Sequence, residues 1–182
     1  MGDGLCFGWY RLDCCPGSSP RALPLTITTD ASQVANEDHW DDMEVLILVA
    51  SAEKKKVPST AGMQETVKTC PTIQQRIQVV PERMKAMEEA IQKKDFAAFA
   101  NLTMLDSDHF HELCHTTVPP IHYMNEVSFN VVKLVNEFNE KEVRAAYTFD
   151  AGPNAVIYLP RRFVAEFLAA VLHFFPPSSL EG

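Results

Sequence analysis

Two stretches of this 182-residue chain place proton-transferring or metal-binding side chains at spacings that chemistry can use. The first is AYTFDAGPNAVIYLP, from Ala146 to Pro160. Tyr147 and Phe149 alternate with Ala146, Thr148 and Asp150, the period of a half-buried strand. The strand stops at Asp150-Ala151-Gly152-Pro153-Asn154, where Gly frees φ, Pro fixes it and Asn tolerates a left-handed backbone. Val156 to Leu159 then reads as a second extended segment, ended by Pro160. A carboxylate where a strand meets a tight turn, with backbone N–H groups nearby, is placed as a general base would be: held by the scaffold and open to a ligand. The structural alternative is an Asp that only accepts turn hydrogen bonds.

The second stretch is His111-Glu112-Leu113-Cys114-His115, a literal HExxH string. On a helix it sets two imidazoles one turn apart with a Glu as base, the chemistry of a zinc hydrolase. Such a centre needs a third ligand downstream. His122 follows two prolines and is reached only through a turn, so the metal reading of His111, Glu112 and His115 rests on the string alone. Cys14-Cys15-Pro16-Gly17 has no ligand at partner spacing and reads as a turn.

The elements that must position these groups follow from patterning. The formal net charge of -8 argues against nucleic acid and anionic membrane surfaces as partners, while apolar (46%) and charged (22%) fractions are those of a globular protein. The length suits one domain burying roughly 70% of its unfolded surface. Five cysteines, an odd number, fit reduced thiols in a cytoplasmic protein better than a secreted disulfide framework. No run of about 18 apolar residues suggests a membrane span, and no secretory signal is visible.

Residues 1–31 are irregular, with Leu23, Leu25 and Ile27 alternating as a short strand. Asn36 to Glu44 is an acidic turn anchored by Trp40. Val45 to Val49 is continuously apolar, as in a strand buried on both faces. Glu53 to Lys56 is a solvated charge run or a basic rim that steers an anion. Pro58 to Gln64 carries helix-start signals, with Ser59 and Thr60 at cap positions, and helix starts favour anions. A long helix spans Pro71 to Lys94, with Pro81 as a kink or break. Asp95 caps the next helix, whose apolar face also bears Asp106, a carboxylate that must be paired or lie near a site. Pro119-Pro120 ends it. Val127, Val131, Leu134, Val135 and Phe138 mark a further helix; Val164, Phe167, Leu168, Val171 and Phe175 mark the last. Ser178 to Gly182 is a tail. The sum is an α+β fold, helices packed on a small sheet.

TFDAGPNA resembles the catalytic segment of the diphosphomevalonate decarboxylase family, within the GHMP kinase superfamily. VLILVASAEKKKVPSTAGM (Val45 to Met63), DFAAFANLTMLDSDHFHELC (Asp95 to Cys114) and VPPIHYMNEVS (Val118 to Ser128) resemble the same family in the same order. The likeness runs from about Ser32 to Pro177. It implies a GHMP-type C-terminal domain over residues 32–177, incomplete at both ends, with an unmatched segment (1–31) and a tail (178–182). That domain would be two layers, its sheet mostly antiparallel. The implied reaction converts diphosphomevalonate to isopentenyl diphosphate with ATP and magnesium, in cytoplasmic isoprenoid and sterol synthesis. By the same likeness Asp150 is the catalytic base, and Ser59, Thr60, Ala151 and Gly152 contact the substrate. No metal ligand is assigned. The family's Gly/Ser-rich ATP loop is absent here, so a catalytically inactive truncated form is the alternative. A homodimer is left open as the assembly.

Overall fold

The structure, a computed structural model, describes residues 33–51 and 57–176. The expected strand at Leu23 to Ile27, the Cys14-Cys15 turn, the charge run at Glu53 to Lys56 and the tail lie outside the described residues. Strands β1 (Met43–Leu48), β2 (Ala146–Phe149) and β3 (Ala155–Pro160) form an antiparallel sheet in the order β1-β3-β2. Register pairs Leu46 with Ile157 and Tyr147 with the same Ile157. Helices α1 (Ser59–Thr69), α2 (Ile73–Lys93), α3 (Phe96–Thr116), α4 (Glu126–Phe138) and α5 (Val164–Phe174) complete the described elements. The arrangement is the expected α+β one.

One core lies between the sheet and α4 and α5. Tyr147, Phe149, Ala155, Ile157 and Leu159 meet Val131, Leu134, Val135, Phe138 and Phe167 there. On the other side Tyr158 packs edge-on against Phe99 of α3, with Trp40, Met87 and Ala90 around them. Trp40 thus anchors the acidic turn, as expected. Asp95 caps α3 by accepting from the Ala98 N–H at 3.0 Å. Asn125 and Ser128 form a reciprocal cap at the start of α4.

Three local expectations are corrected. Val45, Ile47 and Val49 are 39%, 65% and 70% exposed, so β1 is not buried on both faces. It is an outer strand, and the α2–α3 cluster that receives Met43 on its second face leaves Ile47 and Val49 largely uncovered. Pro81 neither breaks nor ends α2, which runs through it. The ring sits on the exposed side, where water can reach the carbonyl that loses its partner. At α1 the N-cap is Pro58, with no side-chain cap bond, so Ser59 and Thr60 are the first helical residues rather than caps.

Candidate functional site

Asp150 follows the last residue of β2 and is exposed, whereas Ala151 and Gly152 behind it are buried. The turn is held from several directions. Before it, the Phe149 N–H donates to Ser107 Oγ at 3.1 Å, and His111 Nε2–H donates to the Phe149 carbonyl at 3.3 Å. After it, Asn154 Oδ1 accepts from the backbone N–H groups of Ala50 (2.9 Å) and Ser51 (3.1 Å), just past β1. Ser128 Oγ, in the first turn of α4, donates to the Pro153 carbonyl at 2.7 Å. Within the turn the Gly152 N–H donates to the Asp150 carbonyl at 2.7 Å. That amide is therefore spent inside the turn. Anchors on α3, α4 and the end of β1 fix the backbone that carries the carboxylate.

Ser59 and Thr60 are exposed at the start of α1. One buried cluster connects them with the turn. Ala151 packs with Cys114, Ile121 and Tyr123, and Val57, two residues before Ser59, packs against that group together with Phe110. The ring planes of Phe110 and Tyr123 are 4° apart with centroids at 6.5 Å. Below Ser59 and Thr60, Gly62 lies against the Tyr123 hydroxyl. The fold therefore brings the α1 start and the Asp150 turn onto the same small core, although the chain separates them widely. Burial pushes the Cys114 thiol up to about 11, so it is an inert filler of this core at neutral pH.

His111 is 4% exposed, and its donated bond to Phe149 commits Nε2 to a structural task. Burial holds its pKa below the usual histidine range, the Phe149 carbonyl pulling the other way. His115 instead lies beside His122, ring centroids 4.8 Å apart. Among the described residues no three His, Cys, Asp or Glu side chains converge as a metal centre would need. Of the two imidazoles in the HExxH string, one braces β2 and the other meets the 118–125 connection.

Asp106 is paired. Arg76 donates to both its oxygens at 3.0 and 2.9 Å, and Arg83 donates to one at 3.1 Å. Two residues on, Asp108 accepts from the Tyr147 hydroxyl, with both oxygens at 3.0 Å. Burial raises the Asp108 pKa, against the pull of that bond. α2 thus clamps α3, and α3 clamps β2 just ahead of Asp150. Sequence patterning marks Asp106 as needing a partner but cannot supply it, and it passes over Ser107, Tyr123 and Gly62 altogether. The only signal for Gly62 is a glycine inside a helix, where it is disfavoured without a packing reason.

Comparison with known proteins places this geometry in a family. Residues 45–181 match the family model described as the mevalonate 5-diphosphate decarboxylase C-terminal domain. The diphosphomevalonate decarboxylase of Rattus norvegicus is 53% identical over 152 residues, covering 82% of this chain and 38% of the rat protein. The solved mevalonate diphosphate decarboxylase from Trypanosoma brucei is 41% identical, with a TM-score of 0.75, covering 78% of this chain and 39% of that one. The protein MDDEF, solved in complex with MVAPP, AMPPCP and magnesium, shares the fold at 23% identity and a TM-score of 0.75, over 81% of this chain and 45% of its own. This chain therefore spans less than half the length of these relatives. No described helix is long and apolar enough to cross a membrane. On the match over residues 45–181, the chain belongs to the mevalonate 5-diphosphate decarboxylase C-terminal domain family.

Proposed function

We propose that this chain carries the substrate side of a diphosphomevalonate decarboxylase, an ATP-dependent carboxy-lyase of cytoplasmic isoprenoid and sterol synthesis. The observation that carries the reading is the Asp150 turn, anchored by α3, α4 and β1 and sharing a core with the start of α1. In this reading the Ser59 and Thr60 hydroxyls donate to the anionic oxygens of diphosphomevalonate, aided by the α1 dipole. Ala151 and Gly152 contact the substrate through shape, since the Gly152 N–H is engaged within the turn. Asp150 would orient the tertiary hydroxyl and take its proton, the terminal phosphoryl group of ATP passing to that oxygen with ADP as the leaving group. Phosphate and carbon dioxide then leave to give isopentenyl diphosphate.

ATP and magnesium belong to the reaction, but the described residues do not fit them. The glycines among them are Gly62, inside α1, and Gly152, in the turn, so no Gly-rich phosphate cradle is present. Among the described residues no acidic cluster offers a magnesium cage either. In an active enzyme these groups would be held by residues other than those described. The same observation supports a second reading, in which the chain by itself is a non-catalytic form.

Asp150→Asn tests the proposal. The amide is nearly isosteric but cannot accept the proton. In enzyme assembled with a family N-terminal half, we expect normal folding, little change in KM and a kcat lower by roughly 10²–10⁴. A folded variant retaining more than about a third of wild-type kcat would remove Asp150 from catalysis.

A further inference from the structure

Tyr123 joins the two parts of the candidate site, and its environment is unusual in two linked respects. Its hydroxyl is buried and has no hydrogen-bond partner, a costly state that Phe would avoid. Facing that hydroxyl is Gly62, in the interior of a helix, where Ala is favoured over Gly. Any Cβ at position 62 would collide with the Tyr123 oxygen. Each choice is unfavourable alone; together they form a lock in which the hydroxyl fills the space a side chain on α1 would take. The ring carrying it lies along Phe110 and packs with Cys114, Ile121 and Ala151, the residue after Asp150.

We propose that Tyr123 is a positioning residue, whose phenol sets the spacing between the first turns of α1 and the turn bearing Asp150. The lock makes Ser59, Thr60 and Asp150 parts of one rigid body, so a substrate gripped at α1 presents its reacting hydroxyl at a fixed distance from the carboxylate. This role rests on the decarboxylase reading; the mechanical coupling does not.

An exchange of groups across the contact tests it. Once the Tyr123 oxygen is gone, the next atoms to a Cβ at position 62 are Ile121 Cδ1 and Tyr123 Cζ, both at 3.4 Å, which is ordinary contact. Gly62→Ala combined with Tyr123→Phe therefore trades a hydroxyl on one side for a methyl on the other. Backbone amide NMR spectra of the 182-residue chain are compared for wild type, both single variants and the double variant. We expect Gly62→Ala to lower Tm and to move the amide resonances of Ala151, Gly152 and Asn154 as well as those of α1. The double variant should return both towards the Tyr123→Phe values. If Gly62→Ala fails to fold, recovery of a folded spectrum in the double variant supports the lock equally. Turn resonances unmoved by Gly62→Ala, or a double variant no better than that single one, would overturn it. In the assembled enzyme, Gly62→Ala assayed well below its Tm should lose roughly 10- to 100-fold in kcat and regain most of it in the double variant. Unchanged kcat beside shifted turn resonances would refute the positioning role while leaving the coupling. The NMR arm needs no activity, so it fails or succeeds independently of the Asp150→Asn result.

Discussion

Replacing Asp106 by Asn removes one negative charge from between two guanidinium groups without opening a cavity. The Asp106 side chain is 13% exposed and those of Arg76 and Arg83 are each 18% exposed, so solvent can do little to stabilise the cations left behind. Arg76 holds the carboxylate through two parallel bonds of 2.9 and 3.0 Å, the strong bidentate geometry, and Arg83 adds a third at 3.1 Å. His109 Nδ1 accepts from Arg83 at 3.0 Å, but an imidazole is never anionic and cannot replace the lost counter-charge. Burial first, and then the two arginines, hold its pKa below the usual histidine range. Removing one partner of such a buried network costs about 3–5 kcal/mol. For a domain of this size each kcal/mol moves Tm by roughly 2–4 °C, so Asp106→Asn should melt roughly 6–20 °C lower. Arg83→Gln should cost clearly less, because Arg76 keeps its bidentate pair. Thermal and urea melts of the chain followed by circular dichroism provide the measurement. If Asp106→Asn costs less than about 1 kcal/mol, or Arg83→Gln costs more than it does, the carboxylate is not the keystone between α2 and α3.

Two further outcomes follow from the site. Burial depresses the His111 pKa below its ordinary 6.5. The unfolded chain then binds a proton that the folded chain refuses, so stability is full above about 6.5 and declines as pH falls towards the folded pKa. His111→Gln keeps a donor for the Phe149 carbonyl and removes the titration. Its Tm should fall less between pH 7 and pH 5 than that of wild type, and equal slopes would show that another group governs the acid limb. Thr60 makes no cap bond in α1, so Thr60→Ala should leave Tm within about 1 °C while raising KM for diphosphomevalonate about 10-fold, the loss of one charged hydrogen bond. An unchanged KM would detach Thr60 from the substrate.

Much of the fold is legible in the sequence because its signals are local. Alternation at Tyr147 to Asp150, the Gly-Pro-Asn turn, the Asp95 cap and the apolar stripe of α4 each depend on residues a few positions apart, and each element forms where its pattern lies. The resemblance carried by TFDAGPNA and the co-linear segments is legible for the same reason: it is written in consecutive residues. What patterning cannot reach is the identity of whatever covers a face. The apolar run at Val45 to Val49 is the same string whether one face is packed or both, and only the strand order β1-β3-β2 leaves Ile47 exposed. Pro81 reads as a break because its cost is local, but tertiary packing of α2 on α3 outweighs it. Asp106 announces that it needs a partner, yet only the α2–α3 packing selects Arg76 and Arg83.

By itself, then, the sequence determined the elements, the chemistry available at Asp150 and the family to which the chain belongs. Tertiary structure alone decided that the start of α1 and the Asp150 turn share one core. It also decided that His111 braces a strand, and that the side-chain space of Gly62 belongs to the hydroxyl of Tyr123. The physical reason is that secondary structure is encoded by periodicities of a few residues, whereas a site is assembled by packing between segments far apart in the chain. Its distances are set by side-chain volumes that no single stretch contains.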